Sequence, residues 1–310
     1  MSVSSARSSP RGAPFLFARQ RRLLALLDAL GGRVGDLDFQ QLLFLYCQEP
    51  DAAGAYEFVP CKLGAFSFTA HADRCKLVER GLLADDAQSW QLTDAGRKSA
   101  GPTQDLYLLA FARRHDALRG QALVAEAYRR FPYHATRSEI AENVLAGDAA
   151  ALERIRAARP SAKAGAIATI GYEGRSLESY LNELLGSGVT ILCDVRRNAI
   201  SRKFGFSKDT LARGCTEVGI RYEHLPELGI ASEQRQGLET QADVDDLFEV
   251  YERDCLPRQG PAIAKIRAWF RSGERVALTC YERLPYQCHR HCLAEALERK
   301  IGKGFAVNHL

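Results

Sequence analysis

The chain contains no stretch approaching the roughly 20 consecutive apolar residues that a membrane-spanning helix needs, so no span is expected. It also lacks a strong charge excess. A net charge of +4 and a pI near 8.5 permit contact with nucleic acid without the clustered surplus that would demand it. No internal repeat is visible, and the GxGxxG spacing of a dinucleotide fingerprint is absent. The nine cysteines are odd in number and spread from Cys47 to Cys292 rather than crowded into a small framework, which reads as reduced thiols in a cytoplasmic protein. The opening MSVSSARSSPRG has no apolar period, and residues 1–14 read as a disordered leader.

What is present fits two domains: 310 residues, 46% hydrophobic and 26% charged. Arg21-Arg22 followed by LLALLDALGG imitates an export signal, but Asp28 interrupts the short apolar run, and Leu23, Leu26, Leu27 and Leu30 keep helical spacing. A second helix is expected to begin with the run Phe39 to Tyr46 and to end near Pro50. YEFVP follows as an extended segment, then a helix from about Ser67 to Arg80, then a hairpin turning at Asp85-Asp86 with Trp90 and Leu92 on one face. Over residues 15–100 this order spells a winged helix-turn-helix. Through YEFVPCKLGAFSF and WQLTDAGRK the block resembles the winged-helix half of proteins associated with antitoxins and mobile elements. Winged helices serve DNA binding and protein docking alike. The expected recognition helix mixes Lys62, His71, Arg74, Lys76 and Arg80 with Asp73 and Glu79.

Residues 101–160 read as a helical connector, broken at Pro132 and with Ser138 as a helix cap. ARPSAKAGA, residues 158–166, marks the boundary to an α/β domain over 161–310. There IATIG, VTILCDV, RYEHLP, RVALTC and FAVNHL read as strands between helices near 176–186, 207–217, 243–254, 261–271 and 290–300. That alternation implies a mostly parallel sheet covered on both faces.

Reactive side chains gather where its strands end. CYERLPYQCHRHC, residues 280–292, carries three cysteines, two histidines, a glutamate and two arginines behind an apolar strand. Cys280, Glu282, Cys288 and His289 are the candidate catalytic groups, since a thiol near arginine at a helix start is readily ionised and a glutamate serves as acid or base. Asp194, ending the second strand, is a second carboxylate, an orienter of arginine, or simply a partner of Arg196. The loop VRRNAISRKFGFSK has Arg196, Arg197, Arg202, Lys203 and Lys208 without an acid among them, which favours phosphate or carboxylate recognition. Ser201 lies in it, and Phe204 and Phe206 either stack on a base or bury the loop. GYEGRSLESY offers Gly171, Tyr172 and a helix start capped by Ser176, where an anion would be welcome. His224, Glu227 and Arg290 complete the expected substrate contacts.

Metal binding by Cys280, Cys288, His289, His291 and Cys292 is the rival reading. The spacing lacks separated knuckle pairs, and adjacent ligands such as Cys288-His289 rarely reach one tetrahedral ion. No metal and no cofactor are therefore assigned, and no oligomeric state is read.

TIGYEGRS, CDVRRNAISRKFGFSK, YEHLPELGIASEQRQ and ALTCYERLPYQCHRH together resemble the family called domain of unknown function 488 over about residues 165–310. FPYHATRSEIAENVL and ALERIRAARP fit a subgroup with an extra N-terminal region. The matching positions are Gly171, Asp194, Arg196, Ser201, Arg202, His224, Pro226, Glu227, Cys280, Glu282, Cys288, His289 and Arg290. The family's association with mobile and defence-related gene sets implies nucleotides or nucleic acid. The resulting expectation is an enzyme that hydrolyses or transfers a group on a phosphate-bearing nucleotide or nucleic-acid substrate. The alternative is a non-enzymatic DNA- or partner-binding regulator whose α/β domain senses an anion or thiol oxidation.

Overall fold

A computed structural model describes residues 15–52, 54–160, 165–302 and 306–310. The expected leader and part of the expected boundary, residues 161–164, lie outside the described residues.

The N-terminal half is mainly helical. Its elements are α1 (Ala18–Ala29), β1 (Arg33–Gly35), α2 (Asp36–Cys47), β2 (Val59–Cys61), β3 (Gly64–Phe66), α3 (Phe68–Glu79), β4 (Ser89–Gln91) and α4 (Asp94–Ala100). They continue through α5 (Leu106–Arg114), α6 (Gly120–Arg130), α7 (Ala141–Val144) and α8 (Ala149–Ala157). The LLALLDA run forms α1, and its leucines are buried in the core, as their helical spacing requires. The hairpin expected around Asp85-Asp86 closes only through a single bridge, Leu83 to Leu92, while β4 pairs antiparallel with β1. The extended segment is instead a tight hairpin, β2 against β3. Helices α5, α6 and α8 share one core with α1 and α2, so the expected connector is packed into this half. Ser138 accepts from Ile140 N–H at 3.1 Å, ahead of α7.

The C-terminal half is an α/β domain with β5 (Ala166–Gly171), α9 (Leu177–Gly186), β6 (Ile191–Asp194), α10 (Lys208–Glu217), β7 (Arg221–His224) and α11 (Gln241–Val250). It ends with α12 (Gly260–Arg271), β8 (Arg275–Cys280), α13 (Arg290–Ile301) and β9 (Asn308–His309). The five strands are all parallel, in the order β7-β6-β8-β5-β9. Strand β8 is central and apolar because helices cover both of its faces. Alternate residues divide the sheet: Ile170, Leu192 and Ala277 pack on α9 and α10, whereas Ile167, Cys193, Val276 and Leu278 pack on α12 and α13. The helices after β5 and β8 therefore leave to opposite faces, although Gly171 and Cys280 are neighbours in register. Such a reversal opens a crevice at the carboxyl ends of the strands.

Among the described residues no helix is long and apolar enough to cross a membrane.

Candidate functional site

A cleft of about 320 Å³ occupies that crevice. Among the described residues its lining includes Tyr172, Arg197, Arg202, Arg235, Cys280 and His289.

Strand β8 delivers Cys280 to the floor, 2% exposed, and His289, 1% exposed, is the N-cap of α13. Between them a short turn at Pro285–Gln287 reverses the chain. Cys288 is extended (φ −140°, ψ 134°) and His289 helical (φ −54°, ψ −15°). The bend lets two adjacent side chains face the same point, which is why the spacing argument against their convergence fails. His289 Nδ1 lies 3.9 Å from Cys280 Sγ and 3.8 Å from Cys288 Sγ. The far ring nitrogen, Nε2, meets the Val195 carbonyl at 3.2 Å, and Tyr251 packs edge-on against the ring. Tyr251 is presented by a π-helical turn, Tyr251–Cys255, into which α11 widens.

Glu282 stands beside this group, its Oε2 3.3 Å from Cys280 Sγ and its Oε1 accepting from Arg235 Nη1 at 2.9 Å. The other terminal nitrogen of Arg235 donates to His289 Nδ1 at 2.8 Å. A nitrogen that accepts from a guanidinium is unprotonated, so the imidazole proton sits on Nε2, facing Val195. The electrostatics follow from acids crowded into a dry crevice. A hydrogen bond from Cys288 holds the Cys280 thiol well below its ordinary range against desolvation, helped by the charge of Arg235. Desolvation and the neighbouring Cys280 push Cys288 well up. Desolvation, then the charge of Cys280, raises Glu282. The Cys280 thiol donates to Glu282 Oε2 across the 3.3 Å contact. Desolvation alone would lower Arg235, but the charges of Cys280, Glu282 and Cys288 raise it.

The remaining expected residues divide into those that face the cleft and those that build it. Asp194 is fully buried at the end of β6 and grips Arg196 through Nε at 2.9 and 3.1 Å and through Nη2. Arg196 Nη1 also donates to Tyr172 Oη and the Phe206 carbonyl, both at 2.9 Å. Desolvation would depress this guanidinium, but Asp194 and Tyr172 outweigh it and raise its pKa. Arg196, at the cleft wall, is therefore a structural clamp, with most of its donors spent on the protein. His224 Nε2 meets the Arg196 carbonyl at 2.9 Å and supports the same turn. Phe206 is buried and stacked on Tyr172, while Phe204 stays exposed. Ser201 lines the cleft, and its Oγ accepts from Lys203 N–H. Lys203 ties down to the Tyr172 carbonyl at 3.0 Å, and Arg197 and Arg202 are exposed at the mouth.

Three expected contacts are placed elsewhere. Arg290 is fully buried and donates to the carbonyls of Glu282 and Arg283, fixing the Glu282 loop. Glu227 is exposed on the turn Pro226–Leu228, away from the cleft lining. Gly171 has no room for a ligand: a Cβ there would meet the Glu282 carbonyl oxygen at 1.8 Å. The anion at the start of α9 is the protein's own, because Ser176 Oγ, besides capping Ser179 N–H at 2.9 Å, donates to Glu57. His291 and Cys292 point away, Cys292 into the core. Arg235 was missed as a single residue. It lies on a turn without period, and its only signal was its place in YEHLPELGIASEQRQ.

Fold and site define an α/β protein with a thiol, imidazole and carboxylate cluster at the mouth of a parallel sheet. Residues 176–297 match the family described as Domain of unknown function DUF488. No curated protein and no solved structure gives a significant match.

Proposed function

We infer that the protein is an enzyme that binds a phosphate-bearing nucleotide or nucleic-acid end in this cleft and hydrolyses, or transfers a group from, a glycosidic or phosphoester bond. The observation that carries this reading is Arg235 bridging Glu282 and His289 on the cleft floor, with Arg197 and Arg202 at the rim. Guanidinium groups in a partly dry cleft attract phosphate strongly and orient it by paired hydrogen bonds. An arriving phosphate competes for Arg235 and frees the Glu282 carboxyl to act as acid or base at the bond broken. Tyr281, 46% exposed and edge-on to Tyr172, offers a face for a base or sugar.

The N-terminal half is read as a winged-helix-like docking unit. Arg74 and Arg80 of its expected recognition helix are engaged with carbonyls of Asp86, Ser89 and Phe15, and Asp73 is buried against Arg19, Gln20 and Tyr56. That favours protein contact over DNA reading.

The test is a panel of nucleotides and 5′-phosphorylated oligonucleotides, with binding followed by thermal shift at low and high salt and products by mass spectrometry. The wild type should bind in a salt-sensitive way and form product. Glu282→Gln should keep binding and lose turnover by about 10²-fold or more, and Arg202→Ala should weaken binding. Binding without product from any member would favour the anion-sensing regulator, and no binding would sink both.

A further inference from the structure

We propose that Cys280, Cys288 and His289 form a three-ligand site for a divalent zinc-type ion whose fourth position opens into the cleft. The ligand atoms of these three buried residues lie within 4.8 Å of one another, the one such Cys/His group among the described residues. A tetrahedron with Zn–S bonds of about 2.3 Å and Zn–N bonds of about 2.0–2.1 Å has edges of about 3.5–3.8 Å. The two sulfur-to-Nδ1 separations, 3.9 and 3.8 Å, come within a few tenths of an ångström of that value. The ring is oriented as a metal ligand requires: Nε2 is tied to the Val195 carbonyl, leaving the Nδ1 lone pair toward the sulfurs. Cys280 and His289 line the cleft while Cys288 lies behind them, so the open position faces solvent and substrate.

Three protein ligands with one place left is the pattern of a catalytic centre, whereas structural zinc is closed by four. Charge supports occupancy as well. Two thiolates and the Glu282 carboxylate would bring three negative charges, which a divalent ion and Arg235 balance. Arg235 now donates into the Nδ1 lone pair, so ion and hydrogen bond exclude each other, and loading turns the guanidinium toward the cleft. Binding releases the thiol protons to solvent. The chemistry deepens the reading above and rests on it. A metal-bound water loses a proton to Glu282, and its oxygen forms a bond to phosphorus or to the sugar carbon. The bond to the leaving group breaks, its electron pair departs with that group, and Glu282 returns the proton to it.

Occupancy is measured without turnover. Full-length protein, reduced with a non-chelating phosphine, is loaded with Zn²⁺ or Co²⁺ and desalted. We expect one ion per chain by elemental analysis and, with cobalt, an intense near-ultraviolet sulfur-to-metal band. Cys288→Ser and His289→Gln should each bind at least roughly tenfold more weakly, and Cys292→Ser should bind like the wild type. If the variants fail to fold, the wild-type stoichiometry and cobalt band decide. Folded wild type that retains no ion, or folded variants that bind as tightly as it does, would overturn the site. One ion per chain with no product from any substrate would leave the site standing and remove the enzymatic reading. Product formed at full rate after chelation would leave the enzyme and remove the metal.

Discussion

At the scale of single residues, a buried charge is stable only where its partners are complete. Arg196 is 5% exposed and Asp194 is fully buried, and Tyr222 Oη adds a 2.6 Å hydrogen bond to the same carboxylate. Removing Asp194 strands the guanidinium, so Asp194→Ala should lose about 3–5 kcal/mol in urea unfolding. Adding Arg196→Met removes the stranded charge, and the double variant should lose clearly less than the sum of the singles. Strict additivity would show that the pair is not coupled. The same pair marks a limit of sequence reading. An arginine in an acid-free loop looks like an anion binder, and an acid two residues earlier competes for it only if the strand end buries both. The Cys280, Glu282, Cys288 and His289 cluster was legible because an apolar strand and a helix bracket it within one short segment. Arg235 reaches the cluster from a distant turn, and its contacts depend on tertiary packing alone.

Elements show the same division. Strands β5, β6 and β8 announce themselves as apolar runs between turns, and the order of appearance of the strands was readable before their order in the sheet. Strand β1 and the β2/β3 hairpin are three residues long each, with Pro60 inside one, too short for a period to develop. Where β5 meets the chain leaving β8, the loop GYEGRS uses its two glycines differently. Gly174 has a φ of +74° and open space around it, and makes the turn. Gly171 has the Glu282 backbone against it, with Tyr172 N–H and Glu173 N–H donating to Cys280 and Tyr281 carbonyls at 3.3 and 2.9 Å. Gly174→Ala should lose only about 1–2 kcal/mol, the strain of a left-handed residue. Gly171→Ala has to push Glu282 outward, with a larger loss of about 3 kcal/mol or more, and should lower turnover in the folded fraction. Denaturant midpoints and rates for the two variants decide this. Equal effects would remove the positioning role of Gly171.

Across the whole molecule the two halves are joined by polar contacts buried between them. Glu178, in the first turn of α9, is fully buried and accepts from Ser67 Oγ at 3.1 Å, Thr69 N–H at 2.7 Å and Thr69 Oγ1 at 3.0 Å. Asn182 donates to the Phe58 carbonyl and accepts from Tyr133, while Val59 and Cys61 enter the apolar cluster of the sheet's α9 face. Glu178→Ala leaves a buried N–H without its acceptor and should lose about 1–3 kcal/mol. Glutamine keeps an oxygen at that place and should stay within about 1 kcal/mol of wild type. Desolvation raises the Glu178 carboxyl, although the Thr69 and Ser67 donors oppose it. The folded carboxyl therefore holds its proton more tightly than the unfolded one. This group favours the fold at acid pH, and that contribution is lost as pH rises through the folded value. Urea midpoints of wild type and Glu178→Gln, compared at about pH 7 and about pH 4.5, should show the wild type gaining on the variant at the lower pH. A difference that stays constant, or moves the other way, would mean that the carboxylate is well solvated and that the halves do not close over it.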